Sequence, residues 1–292
     1  MKIVVAIPAY NEEKTIGQVI SDISKTLDKK NHEIIVINDG SSDSTEATAK
    51  KAGATVYSHP RNFGLAEAFK TSMQKALEHK ADIIVHTDAD GQYEASDIPS
   101  LIEKVQQGND LVLGSRFIGK IQYMPLLNRL GNRAFSRVIS GITRQKITDS
   151  QTGLRAFTRE VAQIEIISNY TYTQEQILRA ARQRMKIAEV PVTFRRRTEG
   201  KSRLLRNPFD YAIKAWITIF RIYRDYEPLK FFGVFGSLFL FIGLLLGLFV
   251  TYSFLTTGLV GGLPRVVLSA LFITMGIQII LFGFLADMIK KR

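Results

Sequence analysis

Two acids stand two residues apart in His86-Thr87-Asp88-Ala89-Asp90-Gly91-Gln92, directly after the apolar run Ile83-Ile84-Val85. Paired carboxylates at the exit of a buried strand are oxygen ligands for a hard divalent cation, Mg²⁺ or Mn²⁺, which keeps waters and bridges to phosphate oxygens. A polar turn is the plainer reading, because Asp and Gly are what turns are made of. Two more polar loops favour the cation. Pro8-Ala9-Tyr10-Asn11-Glu12-Glu13 follows the run Ile3 to Ile7, and Asn38-Asp39-Gly40-Ser41-Ser42-Asp43 follows Glu33 to Ile37. Three acidic loops on one rim would repel a diphosphate unless a cation sat among them.

The elements that must carry these loops alternate along the first half of the chain. Strand-like runs at Ile3 to Ile7, Glu33 to Ile37, Ile83 to Val85 and Leu111 to Leu113 are separated by helical patterns at Thr15 to Leu27, Ser44 to Lys51, Leu65 to Glu78 and Ser96 to Gln106. Such alternation predicts an α/β fold, a mostly parallel sheet with helices on both faces. Ligands of these sheets sit beyond the carboxyl ends of the strands, which is where the acidic loops fall.

The remainder of the chain has a different composition. Of the 292 residues 46% are hydrophobic, enough for a large core, and the absence of cysteine excludes disulfides, thiolate metal sites and a Cys nucleophile. The net charge of +12 is unevenly placed: residues 1–100 hold 11 Lys/Arg and 15 Asp/Glu, the rest 28 and 12. Acidic strand ends are unsuited to nucleic acid, and no such partner is expected. The uncharged runs Phe231 to Leu255 and Val266 to Ala286 each exceed the ~20 residues that cross a bilayer as a helix. Thr256 to Arg265 between them reads as a tight hairpin loop. Lys230 and Lys290-Lys291-Arg292 flank the spans, so both termini and the N-terminal body are expected in the cytoplasm of a cell-membrane protein. Met1 leads straight into a strand, without a signal peptide pattern. Between body and spans, Phe209, Ile213, Trp216, Ile217, Phe220 and Tyr223 recur at helical steps among basic residues, the pattern of a helix in the headgroup layer. The expected division is 1–206, 207–229 and 230–292. Gly233, Gly236, Gly243 and Gly247 would permit close approach of spans, and a homo-oligomer is expected through them.

Five motifs in order, IPAYNEEKTI, VINDGSSDST, HTDADGQY, DSQTGLRAF and RRRTEGKSR, resemble the family 2 glycosyltransferases of GT-A fold, and more narrowly the polyprenyl-phosphate (dolichyl-phosphate) hexose synthases. The resemblance implies a GT-A nucleotide-sugar-binding domain followed by amphipathic interface helices and two transmembrane helices. It implies inverting transfer of a hexose from a nucleotide-diphosphate sugar to a polyprenyl or dolichyl phosphate. Carried onto this chain, Pro8, Ala9, Tyr10, Glu12 and Ile37 would line the nucleoside pocket, and Asp39 would accept hydrogen bonds from the base. Asp88, with Ala89, would approach ribose and sugar, Asp90 would bind the metal, and Gln92 would be its further ligand. Arg197 and Arg203 would belong to a loop closing on the diphosphate, where relatives more often have Lys at the second position. UDP and GDP donors stay equally open, as does the identity of the sugar.

An acceptor phosphate carries about −1.5 to −2 charges at neutral pH, so it is already a nucleophile and needs cations more than a base. Arg116 fits best, with Arg129 or Arg133 beside it. The region where hydroxyl-attacking relatives carry an acidic pair holds a lone acid, Glu175, and Asp149 is a second acid at a motif position, as suited to bracing its turn as to touching substrate. A transferase acting on a hydroxyl acceptor is the alternative. A nucleotidyltransferase is the second, although PAYNEE lacks the Gly-rich phosphate cradle that such an enzyme places after its first strand.

Overall fold

The computed structural model describes residues 1–28, 31–167, 172–196, 208–259 and 262–290, with side chains except at 208–216 and 290. Two compact units result, Met1–Ala212 and Ile213–Arg292.

The first unit is built on β1 (Ile3–Ala9), β2 (His32–Asn38), β3 (Thr55–Ser58), β4 (Ile83–His86), β5 (Leu111–Ile121), β6 (Arg155–Thr158) and β7 (Ile187–Phe194). They form one sheet in the order β3-β2-β1-β4-β6-β5-β7. Every pairing is parallel except those of β6, which runs antiparallel between β4 and β5. The fold is therefore the expected α/β with a mostly parallel sheet. Residues Val4 to Ala9 of β1 are all buried, as a strand covered on both faces requires.

Amphipathic helices supply the cover. In α1 (Ile16–Thr26) the buried Ile16, Ile20 and Ile23 fall on one stripe; in α3 (Leu65–Glu78) Ala66, Phe69, Met73 and Ala76 do the same; in α4 (Ile98–Gln106) Ile98, Leu101, Ile102 and Val105 do. The short α2 (Thr45–Lys51) follows β2, and α5 (Leu126–Thr143), α6 (Arg159–Ala162) and α7 (Tyr172–Arg182) follow β5 and β6. Each fully buried Ile or Leu contributes about 1.5–3 kcal/mol of burial free energy. Because β6 enters from the side where the parallel strands end, its first residues stand on the same rim as the loops after β1, β2 and β4.

The second unit consists of the rest of α8 (Pro208–Tyr226), α9 (Pro228–Thr257) and α10 (Leu263–Lys290). Thirty residues of α9 extend about 45 Å at 1.5 Å per residue, more than the ~30 Å hydrocarbon layer. Both long helices are apolar enough to be candidate membrane spans, and side chains such as Leu238, Phe241, Leu248 and Phe282 point outward. Phe220 and Tyr223 of α8 meet Phe231 at the start of α9, at 4.6 and 6.4 Å between rings.

The glycines of α9 correct one expectation. A Cβ on Gly236 would strike the Gly276 carbonyl and Ile280, one on Gly243 would strike Ile273 and Phe272, and one on Gly247 would crowd the Ser269 hydroxyl. Ser269 Oγ also donates to the Gly243 carbonyl at 2.8 Å. These three glycines are thus consumed within the hairpin, in backbone-close packing of α9 on α10, and do not form an outward face for self-association. Of the four, Gly233 alone would meet nothing within 4 Å. Gly243→Leu is expected to lower the melting temperature of the full chain in detergent by several degrees, as overpacking costs about 1–3 kcal/mol, whereas Gly233→Leu leaves it unchanged; thermal denaturation of the two variants side by side measures this.

Candidate active site

The loops after β1 and β2 are laced together before any ligand arrives. Asn11 takes a left-handed conformation, φ 52°, which Asn tolerates. Its amide donates to Ser41 Oγ at 2.9 Å, and its Oδ1 accepts the Ser42 amide at 2.8 Å. The Glu12 amide donates to Thr45 Oγ1 at 2.8 Å, and the Ser44 amide donates to Glu13 Oε2 at 2.9 Å. Asp43 caps the start of α2 by accepting the Thr45 amide. Glu13 and Asp43 are therefore braces, and Glu94 pairs with Arg195 at 2.8 Å.

The rim encloses a cavity of about 670 Å³. Pro8, Ala9, Tyr10, Glu12, Asp39, Asp88, Ala89, Asp90, Gln92 and Arg116, all singled out from the sequence, line it together. Ile37 does not; its side chain is fully enclosed in the body of the sheet. Arg129 and Arg133 are exposed on α5 and are not among the lining residues, Arg133 lying over the Phe117 ring instead. Arg197 and Arg203 lie outside the described residues. The lining also includes Gln151 and Gly153 of the DSQTGLRAF motif, given no role from the sequence, and Asn62, Leu65, Tyr172 and Phe194, which no motif marked. A second hollow of about 720 Å³ lies against α1 on the other side of the Asp90 loop; it touches Asp90 but not Asp39, Asp88 or Arg116.

Asp90 Oδ1 accepts the Gln92 amide at 3.1 Å, and Gln92 Nε2 donates to the Arg195 carbonyl at 3.2 Å, which leaves Gln92 Oε1 as the end for a ligand. The donor set at this point is hard oxygen. Among the described residues no cluster of three His, Asp or Glu side chains makes a complete metal cage. Two or three protein oxygens fit a Mg²⁺ or Mn²⁺ that completes its shell with water and phosphate.

At the other end of the cavity the charge reverses. Arg116 is 7% exposed and Asp149 fully buried. Asp149 accepts three bonds from this one residue: the main-chain amide at 3.1 Å, Nε at 2.6 Å and Nη2 at 2.8 Å. The guanidinium lies over the Phe194 ring at 5.1 Å. With the amide of Asn132 turned to suit its neighbours, its oxygen accepts Nη2 at 3.3 Å. Arginine carries five N–H donors, so the two on Nη1 are left for a ligand. Glu189 on β7 holds the turn from behind, accepting the Thr148 amide at 2.9 Å and the Asp149 amide at 3.0 Å. Burial raises its pKa against the pull of those amides.

A buried polar layer lies beneath. Gly153 donates its amide to Tyr93 Oη at 2.9 Å, and its carbonyl accepts His86 Nδ1 at 2.7 Å. A Cβ at Gly153 would collide with the Asp88 carboxylate; the side chain of Asp88 rests on bare backbone. Arg155, fully buried, spans from the Thr152 carbonyl (2.5 Å) to Gln176 Oε1 (2.9 Å) and the Thr173 carbonyl (3.2 Å), tying α7 to the same turn. Burial pushes the Tyr93 hydroxyl up to about 12, so it remains neutral. Glu175 accepts the Ile167 amide at 3.1 Å and Arg179 Nε at 2.7 Å and is not in the cavity wall.

A sheet of this order, with carboxylates gathered at the strand ends opposite a buried arginine, defines a GT-A-like α/β fold; glucosyl-3-phosphoglycerate synthase from Mycobacterium tuberculosis, solved with Mn²⁺, UDP and glucosyl-3-phosphoglycerate, is 26% identical at a TM-score of 0.56, over 75% of this chain and 79% of that one. The sequence profile of glycosyl transferase family 2 matches residues 4–165. The chain belongs to glycosyltransferase family 2. It is 32% identical to glycosyltransferase AglJ of Haloferax volcanii over 97% of this chain and 91% of that protein. It is 36% identical to the dolichyl-phosphate hexose transferase of the same organism, over 70% and 86%.

His86 provides a test of the buried layer. Burial, with Arg155 nearby, lowers its pKa from 6.5 to about 3 despite the bond to Gly153. The folded protein keeps His86 neutral while the unfolded chain takes up a proton below pH 6.5, so its contribution to stability is lost as pH falls from 6.5 toward 3, by up to about 1.4 kcal/mol per unit. Melting temperatures across that window are expected to fall less steeply in His86→Asn than in the parent.

Proposed function

We propose that this chain transfers a hexose, with inversion, from a nucleotide-diphosphate sugar to the phosphate of a polyprenyl or dolichyl lipid at the cytoplasmic face of the cell membrane. One observation carries the reading: among the described residues, both acids that could have served as a base on the acceptor side are committed elsewhere, Glu175 to Arg179 and the Ile167 amide, Asp149 to Arg116. What the acceptor end offers is a buried cation, Arg116. A hydroxyl would need its proton removed; a phosphate monoester brings its own oxyanion and needs positive charge to dock. The name of the hexose transferase relative agrees with this, and the two candidate spans would hold the enzyme where such a lipid resides.

The step is a single displacement. A phosphate oxygen of the acceptor, gripped by Arg116, attacks the anomeric carbon from the face opposite the leaving group. The new carbon–oxygen bond forms as the bond to the nucleoside diphosphate breaks, and the electron pair departs with the diphosphate. A divalent cation held by Asp90 and Gln92 Oε1 would supply the charge that stabilises that leaving group. Asp88, seated on Gly153, faces the ribose and sugar; Pro8, Tyr10 and Glu12 enclose the nucleoside. Arg197 and Arg203 are proposed to close on the diphosphate, and Arg129 or Arg133 to receive the lipid headgroup.

The protein in lipid nanodiscs, given Mn²⁺ or Mg²⁺, labelled nucleotide sugars and a polyprenyl phosphate, is expected to form lipid-phosphate sugar, and chelation with EDTA to stop it. Folded protein that consumes no donor overturns the reading. Asp90→Asn is expected to lose at least ~100-fold in turnover, in the range that removing one transition-state charge contact costs. Glu175→Gln should stay within about threefold; a loss as deep as that of Asp90→Asn would favour the hydroxyl-acceptor alternative, in which an acid at this position is the base.

A further inference from the structure

The order of the strands fixes the order of the subsites, given the donor reading proposed above. Neighbouring strands lie about 4.8 Å apart. Asp39, after β2, therefore stands two strands, about 10 Å, to one side of Asp88 and Asp90 after β4; Arg116, in β5, stands two strands to the other side. With the diphosphate at the centre and the anionic acceptor at Arg116, the nucleoside occupies the Asp39 end. The reverse placement would press an anionic acceptor against Asp39 and Glu12.

At that end the Asp39 carboxylate is already heavily used. Its Oδ1 accepts His59 Nδ1 at 2.8 Å and the Phe63 amide at 2.9 Å, and its Oδ2 accepts the Gly64 amide at 2.9 Å. Since a carboxylate has no proton to give, His59 Nδ1 is the donor. The far nitrogen, Nε2, is held by Thr71 Oγ1 at 3.0 Å, and the His59 amide donates to the Asn38 carbonyl at 2.9 Å, so the ring is fixed at both ends. The loop cannot lift away easily: it is pressed onto Gly40, at φ +67°, where a Cβ would run into the backbone of Arg61 and Asn62. Asp39 itself is 3% exposed.

An ionised carboxylate offers about four acceptor positions. Three are filled from within the protein, which leaves one, on Oδ2. Guanine presents N1–H and the N2 amino group side by side, a pair that calls for both oxygens of a carboxylate. Uracil presents a single N3–H between two carbonyls. Adenine and cytosine set a ring-nitrogen lone pair next to their amino donor, which would face the filled oxygen. We propose that His59 is a specificity-determining residue: by occupying Oδ1 of Asp39 together with the Phe63 amide, it makes the nucleoside end select uracil, and the donor is a UDP-sugar.

Binding of UDP and GDP to the full chain in nanodiscs with Mn²⁺, by calorimetry or competition, tests this. UDP is expected to bind at least tenfold more tightly. GDP binding as tightly overturns the assignment while leaving a nucleotide donor in place; binding of neither nucleotide overturns the donor reading on which it rests. His59→Ala, which frees an acceptor position on Oδ1, is expected to shrink the UDP-to-GDP preference at least threefold, and equal weakening toward both nucleotides would remove His59 from the role. His59→Asn retains an N–H at the same place. It should keep most of the preference, and its loss in a variant that melts like the parent would equally count against the proposal.

Discussion

The bond between Asp149 and Arg116 is the constraint from which the site follows. Asp149 is fully buried and Arg116 nearly so, and each is tolerable only because the other is held in a two-pronged geometry. Removing one partner of such a pair leaves an uncompensated buried charge at a cost of about 3–5 kcal/mol. Around this pair the chain spends further polar groups on orientation. Glu189 pins the turn that carries Asp149, Phe194 flanks the guanidinium, and the same turn continues to Gly153, on which Asp88 rests. A cation at one end of the cavity and carboxylates at its centre are thus parts of one hydrogen-bonded assembly.

That assembly depends on the one strand that runs against the others. Without β6 between β4 and β5, the turn from Thr148 to Gly153 would not arrive at the rim, and nothing would bring Arg116 within reach of the cavity that Asp88 and Asp90 share. Arg155, at the head of β6, completes the link by joining the turn to α7. A guanidinium with no carboxylate in contact is a costly group to bury, and it survives here on two carbonyls and a Gln side chain.

Much of this was legible in the sequence, for physical reasons that differ by element. β1, β2 and β4 are continuous apolar runs ended by polar loops, because both of their faces are covered; their composition announces them and the loops they deliver. β3 (Thr-Val-Tyr-Ser) lies at the sheet edge with half-exposed residues, and β6 (Arg-Ala-Phe-Thr) opens on a buried arginine, so neither shows an apolar run. β7 mixes Glu and Pro into its length, since Glu189 serves the Asp149 turn. Asp88, Asp90 and Arg116 were identifiable from residue type and motif. His59 was not, because it acts through Asp39 from across a loop, and a lone histidine after an inconspicuous strand gives no signal. The span glycines were visible as close-approach residues, but pattern alone does not say which helix approaches, and three of them face α10.

The antiparallel insertion also has a bearing on the order of assembly. A ribosome delivers β1 to β5 first, yet the gap between β4 and β5 can be closed only by residues 155–158, when more than half of the 292 residues have been made. Until then two inner strands present unpaired edges, the kind of surface that recruits foreign strands. The nascent chain is therefore most exposed to mispairing at its middle, and the two apolar helices that follow emerge only once that interval has passed.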